Sequence, residues 1–158
     1  MTRFLSRFAK SESGAVLVET IIAVPVMTLL TFGILEFGNM MWQRQQLQVG
    51  VRDAARYLSR CKGSTNFPGS GCSIAIARNI AFYGNPAGTG PARVPGWSDA
   101  SELVITPATE ADFPAEPAAT DLIRVRGNFV YQGSPVYNAV FGSANSIGYE
   151  VTMRYQGW

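Results

Sequence analysis

A single carboxylate, Glu19, interrupts an apolar run that extends from Ala15 to Leu35. On insertion scales, an acidic residue within a membrane span costs about 2.5 to 3.5 kcal/mol, so a charged Glu19 there requires a compensating cation. Gly14 lies five positions earlier, immediately before the apolar run begins. The alternative is that Glu19 lies near a membrane edge and that Gly14 only starts a helix.

The apolar run is long enough to cross a bilayer. As a helix it covers roughly 30 Å at about 1.5 Å per residue, which is close to the hydrocarbon thickness. An ordinary signal peptide has a shorter apolar region followed by a small-residue cleavage site. Here Glu36, Phe37 and an interfacial Trp42 follow instead. This pattern predicts a membrane-spanning helix that is retained.

Charge is distributed unevenly around the apolar run. Arg3, Arg7 and Lys10 precede it, and no Lys or Arg occurs between Ser11 and Gln43. By the positive-inside rule, this asymmetry predicts a cytoplasmic N-terminus. The charges beyond the run are mixed in sign and form no basic stripe, so no nucleic-acid partner is expected.

The composition argues against an enzyme. The chain has no histidine, which is the commonest general base and the commonest metal ligand. The sequence also lacks a Ser-His or Cys-His pair, a glycine-rich phosphate loop and a cluster of metal ligands. We therefore expect no catalytic residue, no metal and no cofactor.

Two cysteines, Cys61 and Cys72, lie beyond the apolar run with ten residues between them. If this part of the chain is exported to an oxidising compartment, a disulfide is the natural interpretation. Closing a loop of this length stabilises the fold by roughly 3 kcal/mol on a chain-entropy estimate. The alternative is two unpaired small apolar residues.

Helical character continues beyond the membrane segment. Between Phe37 and Leu58, apolar residues recur at spacings of three and four, while polar residues such as Gln43 and Arg52 are assigned to other faces. This pattern predicts an amphipathic continuation whose apolar stripe contacts a folded domain.

The remaining sequence predicts a small domain with short elements. Residues 73–83 suggest a helix, and alternating apolar and polar residues indicate strands within 102–106, 121–132 and 149–156. Residues 84–98 and 107–120 are rich in Gly, Pro and Ala and are interpreted as surface loops. The expected fold is α+β, with a long N-terminal helix packed on a small antiparallel sheet of about three strands.

A glycine followed by four residues and a glutamate, after basic residues and at the start of an apolar helix, resembles a prepilin peptidase site. The sequence from Gly14 to Leu58 is also similar to the N-terminal region of TadE-like proteins, minor pseudopilins of the tight-adherence (Flp) pilus. Besides Gly14 and Glu19, the matching residues are Pro25, Glu36-Phe37-Gly38 and Ala54-Ala55-Arg56-Tyr57. The resemblance implies a pilin-like fold.

The resemblance also implies a division of the chain. Residues 1–14 would be a basic cytoplasmic leader, residues 15–37 the transmembrane helix and residues 38–60 its amphipathic continuation. Residues 61–158 would then form an extracytoplasmic α+β domain. The leader would be cut between Gly14 and Ala15, and Glu19 would pair with the N-terminal amine of a neighbouring subunit.

In this interpretation the protein is a minor pilin that helps to initiate, assemble or decorate a pilus for surface attachment. Pro25 and Glu36 would contribute to subunit packing, with an ordinary membrane-exit role as the alternative for Glu36. The implied partners are prepilin peptidase, other pilin subunits, the inner-membrane assembly platform and the lipid bilayer. The implied location is the bacterial inner membrane, with the C-terminal domain in the periplasm and incorporation into an extracellular pilus as a later step.

A second hypothesis shares every feature except the cut after Gly14. The chain would then be an unprocessed single-pass envelope protein whose extracytoplasmic domain binds a partner.

Overall fold

The structure, a computed structural model of the chain, describes residues 12–61, 73–114, 118, 120–142 and 145–156. Its elements in chain order are helices and strands with short connections: α1 (Glu12–Ser59), α2 (Ile74–Tyr83), β1 (Leu103–Thr106), β2 (Leu122–Val130), α3 (Pro135–Phe141) and β3 (Ser146–Arg154). The predicted α+β class is confirmed, because a long N-terminal helix accompanies a three-stranded antiparallel sheet.

Helix α1 changes character along its length, and the chain divides into two compact units between Gly38 and Asn39. In the first unit the helix exposes its large apolar side chains, with Leu29 72% and Ile34 71% exposed. In the second unit the predicted apolar stripe is half-buried at Met40 and Met41 and buried from Leu47 onward. Phe37, its predicted first member, is 62% exposed in the first unit. The fully buried members of the stripe are Leu47, Val51, Ala54 and Leu58.

The sheet has the order β1-β2-β3, with β2 in the centre. The predicted alternation is confirmed in β2, where Ile123, Val125 and Phe129 are buried and their neighbours are exposed. Strand β3 begins at Ser146, three residues before its predicted start, because it pairs with β2 as far as Val130. One face of the sheet therefore packs into the core and the other is exposed.

Helix α1 packs against the centre of β2 at Gly127. A Cβ atom on Gly127 would lie 2.7 Å from Val51 Cγ2 and 2.8 Å from Leu47 Cδ1. Trp97 closes the same site, with its Cζ2 atom 3.1 Å from that position. A glycine inside a strand often marks such a close approach. The missing side chain thus sets the distance between helix and sheet.

Helix α2 is attached to the rest of the second unit at both ends. The Ser73 side chain accepts a hydrogen bond from the Ile76 N–H at 3.3 Å, and the Ile74 N–H donates to Glu110 Oε1 at 2.9 Å. Gly84 ends the helix with a left-handed φ of 77°, a conformation that glycine adopts without steric cost. These caps satisfy helix termini that would otherwise lack partners.

The predicted surface loops contain core residues, so that interpretation is wrong in part. Val94 and Trp97 are fully buried, and Phe113 is 2% exposed. The Trp97 ring packs edge-on against Phe82 with centroids 4.9 Å apart, and Phe113 contacts Tyr155 at 5.9 Å. Isolated aromatic residues among Gly and Pro have no periodicity, which is why the pattern did not indicate their burial.

Helix α3 was not predicted as a separate element. Ser134 caps it by accepting a hydrogen bond from the Tyr137 N–H at 3.2 Å, and Pro135 occupies its first turn. A Ser-Pro pair at this position is a common helix start. Helix α3 has only 7 residues, which is too short for a helical periodicity to be recognised in the sequence.

We predict that the close approach at Gly127 makes Gly127→Ala destabilising. The added methyl group must displace packed atoms of Leu47 or Val51, so the free energy of unfolding should fall by about 1 to 3 kcal/mol. The matched control is Gly148→Ala on β3, where the nearest atoms lie 3.7 Å away. Urea unfolding of the full chain in detergent, followed by tryptophan fluorescence, measures both. A Gly127→Ala variant as stable as the control would contradict this packing.

Candidate functional site

The predicted processing residues lie in the first turns of helix α1, which begins at Glu12. Ala15 and Glu19 are four residues apart and therefore lie one turn apart on the same side of the helix. Both residues are exposed. Residues 1–11, which include most of the predicted leader, lie outside the described residues.

The apolar side chains around Glu19 form a continuous exposed surface. The most apolar window of the helix has a mean hydropathy of 2.1, and none of it is buried, so the helix is long and apolar enough to cross a membrane. From Val16 to Phe37, the large apolar residues are at least half exposed. Lipid or other helices can accommodate such a surface far better than water. The helix is therefore compatible with a membrane anchor.

The hydroxyl groups in this segment are satisfied within the helix. Thr20, Thr28 and Thr31 each donate a hydrogen bond to the carbonyl four residues earlier, at 2.8, 2.7 and 2.8 Å. In an apolar environment an unsatisfied hydroxyl is costly, so these internal bonds let the segment remain apolar toward its surroundings. When ionised, the carboxylate of Glu19 only accepts hydrogen bonds and cannot donate to a helix carbonyl in this way.

Pro25 lies inside α1 without ending it. Because proline has no N–H, the Ile21 carbonyl receives no helical hydrogen bond from position 25. A shallow apolar groove precedes this position, lined by residues that include Val16, Leu17 and Val24. The groove can accept side chains from another helix.

Glu19 and Glu36 do not form one site. Glu36 lies 17 positions after Glu19, about 26 Å along the axis at about 1.5 Å per residue. Glu36 is half-buried, whereas Glu19 is exposed. Each carboxylate must therefore be considered with its own neighbours.

The predicted cysteine site lies in the second unit, where Cys61 follows the end of α1. Cys61 is 1% exposed, and the Tyr155 hydroxyl donates a hydrogen bond to its carbonyl. Burial raises the pKa of the Tyr155 hydroxyl. The Gln156 N–H also donates to the Ser59 carbonyl at 2.9 Å. Cys72 lies outside the described residues, so the bridge stays a prediction.

One polar residue near the start of the second unit, Gln43, was assigned to the wrong face from the sequence. Gln43, predicted on an exposed face, is 1% exposed. Its Nε2 atom lies 3.4 Å from Asn39 Oδ1 and 3.5 Å from the Gln132 carbonyl, and Asn39 Nδ2 donates to the Tyr131 hydroxyl at 3.1 Å. The helical spacing indicates that Gln43 is buried, because Gln43 lies one turn before the buried Leu47 on the same side of α1.

Among the described residues, no group of three or more His, Cys, Asp or Glu side chains could hold a metal ion.

Comparison with known proteins identifies the segment that carries these features. The family model described as TadE-like protein matches residues 14–56. No curated protein and no solved structure matches the chain. The matched range begins at Gly14 and extends through most of helix α1, so the resemblance predicted from the sequence is confirmed there. Residues 14–56 of this chain are thus similar to TadE-like proteins.

Proposed function

We propose that this protein is a minor pilin, or pseudopilin, that prepilin peptidase cuts between Gly14 and Ala15. The processed chain starts at Ala15, is anchored by the helix of residues 15–37 and carries a folded extracytoplasmic domain. It acts as a building block in the assembly, initiation or decoration of a tight-adherence pilus rather than as an enzyme.

The observation that carries this proposal is the two-part surface of helix α1. The first part exposes large apolar side chains, and the same helix continues without a break into the buried residues Leu47 and Val51. Removing the apolar segment after residue 37, as for a signal peptide, would cut the helix close to its core-forming part. This continuity supports a retained anchor whose processing site lies before the apolar run. The family match from Gly14 supports the same position.

The chemistry proposed for Glu19 is charge compensation between subunits. The cut would create an α-amino group on Ala15, which is a cation in its protonated form. When helices leave lipid and bundle, a carboxylate without solvent is driven toward such a cation. Pairing of Glu19 with the amine of a neighbouring subunit sets the axial position of one helix against the next.

The remaining partners follow from the same arrangement. The apolar helix contacts the bilayer of the inner membrane before assembly and other pilin subunits afterwards, with Pro25 and Glu36 contributing to the packing. The inner-membrane assembly platform receives the processed subunit. The basic leader stays in the cytoplasm and the domain from residue 61 onward lies in the periplasm, from which the subunit enters the pilus.

We predict that the protein co-expressed with an active prepilin peptidase lacks residues 1–14. Intact mass or N-terminal sequencing then shows Ala15 as the first residue. Gly14→Leu should block the cut, because it places a bulky side chain directly before the bond that is cleaved, where the wild-type chain has a glycine. Gly33→Leu is the matched control, since Gly33 lies in the same apolar helix with no atom within 4 Å of an added Cβ.

Retention of Met1 to Gly14 in the wild-type chain beside an active peptidase would contradict the proposal. That result would favour the unprocessed single-pass envelope protein.

We predict that Glu19→Ala leaves membrane insertion intact or improves it, because it removes a charge that costs about 2.5 to 3.5 kcal/mol within a span. Pilus assembly should fall by at least about tenfold, the change that corresponds to about 1.4 kcal/mol. Thr28→Ala is the control, since its hydroxyl bonds only within its own helix. Membrane fractionation measures insertion, and electron microscopy counts pili. Wild-type piliation in Glu19→Ala would exclude Glu19 from assembly.

We predict a disulfide between Cys61 and Cys72 in the exported protein. The Ser73 N–H donates to the Tyr57 hydroxyl at 3.1 Å, which holds the residue after Cys72 near the last turn of α1 and supports the bridge. Alkylation before reduction should add no mass, and alkylation after reduction should add two labels. Cys72→Ser should lower the free energy of unfolding by roughly 3 kcal/mol. Labelling of both cysteines without reduction would refute the bridge.

A further inference from the structure

The strand residues that point away from the core form an exposed surface, which we call the outer face. Every second residue along β1, β2 and β3 is exposed there. The strand register aligns Val104, Arg126 and Glu150 in one row across the sheet. A flat surface of this kind can receive another protein.

The outer face is positively charged. Arg124 and Arg126 on β2 and Arg154 on β3 are all exposed, and Glu150 is its one acidic residue among the described strands. Arg124 Nε lies 3.4 Å from Glu150 Oε1, with the two side chains 61% and 44% exposed. Because an exposed pair of this kind stabilises by at most about 1 kcal/mol, these groups remain available to other partners. Three arginines against one glutamate leave an excess of two positive charges.

Exposed aliphatic side chains lie beside these arginines. Val104, Leu122 and Val130 are 56%, 55% and 52% exposed on the same side of the sheet. Arginine combined with apolar area is typical of protein interfaces, because the guanidinium is weakly hydrated and can hydrogen-bond to carboxylates in pairs. The composition of the outer face therefore fits a protein surface that carries carboxylates.

The matching negative charge lies elsewhere on this same chain. Between Arg93 and Arg124 the sequence contains six acidic residues and no Lys or Arg. The described acids on either side of β1 form what we call the acidic edge: Asp99, Glu102, Glu110 and Asp112. Strand β1 is one edge of the sheet, whereas Arg154 lies on β3 at the other. Opposite charges thus occupy different parts of one domain.

We propose that the outer face binds the acidic edge of a second copy of this chain in a head-to-tail contact. A symmetric contact between two outer faces would oppose like-charged arginines, which is unfavourable. The head-to-tail arrangement pairs arginines with carboxylates and leaves one outer face and one acidic edge unused at the ends. It can therefore repeat. The contact does not depend on processing at Gly14.

The test uses the full chain in detergent, labelled in two batches with a fluorescent donor and an acceptor. Energy transfer between copies is measured at about 0.01 M and about 1 M ionic strength, where charges are screened over about 30 Å and about 3 Å. We expect association at low ionic strength and its loss at high ionic strength.

Two neutralised variants separate the two halves of the contact. The face variant is Arg124→Gln, Arg126→Gln and Arg154→Gln, and the edge variant is Asp99→Asn, Glu102→Gln and Asp112→Asn. Amide side chains keep the size and most hydrogen bonds of the originals. Each variant alone should self-associate at least about tenfold more weakly than wild type. Circular dichroism and thermal unfolding check that both variants fold like wild type.

An equimolar mixture of the two variants should restore association, because the edge variant retains an intact outer face and the face variant an intact acidic edge. The restored complex should stop at a 1:1 dimer, which sedimentation distinguishes from longer assemblies. The control with the same net charge as the face variant, called the α1 control, is Arg44→Gln and Arg56→Gln on exposed positions of α1 together with Arg60→Gln directly after its end. It should associate like wild type.

The proposal is overturned if the wild-type chain stays monomeric at low ionic strength, which would assign the outer face to an acidic partner of another kind. It is also overturned if the α1 control weakens association as much as the face variant, because net charge alone would then explain the effect. Failure of the mixture to restore association would equally exclude a head-to-tail contact.

Discussion

The contact between helix α1 and the central strand at Gly127 governs the arrangement of the second unit. Leu47 and Val51 approach the strand closely because position 127 has no side chain, and Trp97 fills the adjacent space. Gly50 has the same function toward α2, since a Cβ there would lie 2.5 Å from the Ala81 carbonyl. Two missing side chains thus bring a helix, a sheet and a second helix around one tryptophan, at the density typical of protein interiors.

Helix α1 serves two environments with one uninterrupted backbone. Up to Phe37 its apolar residues are exposed and its threonine hydroxyls are bonded internally, whereas from Leu47 onward a narrow stripe is buried. Every backbone hydrogen bond of a helix lies within the segment, so the same element can cross lipid and then support a domain. This property is compatible with a membrane anchor.

Charged residues have different surroundings in the two units. In the apolar segment, Glu19 lies among aliphatic side chains, where a charge is costly without a cation. In the folded unit, Asp53 and Arg93 pair at 2.8 Å while partly buried, and most other charges stay in water. The arginines of the outer face are exposed, as are Asp99 and Asp112 beside β1, and they therefore remain solvated at little cost. The two proposed contacts use these charges differently: Glu19 would pair with a cation of a neighbouring subunit, and the outer face would bind the acidic edge of a second copy.

The sequence by itself determined the features that depend on local order along the chain. The long apolar helix, its buried stripe from Leu47 onward and the alternation in β2 all depend on local periodicity, and each was predicted. Tertiary structure alone decided which residues without periodicity enter the core. Trp97 and Phe113 are buried although they lie among loop-forming residues. Burial depends on which distant segments meet, and no local pattern in a single chain records that.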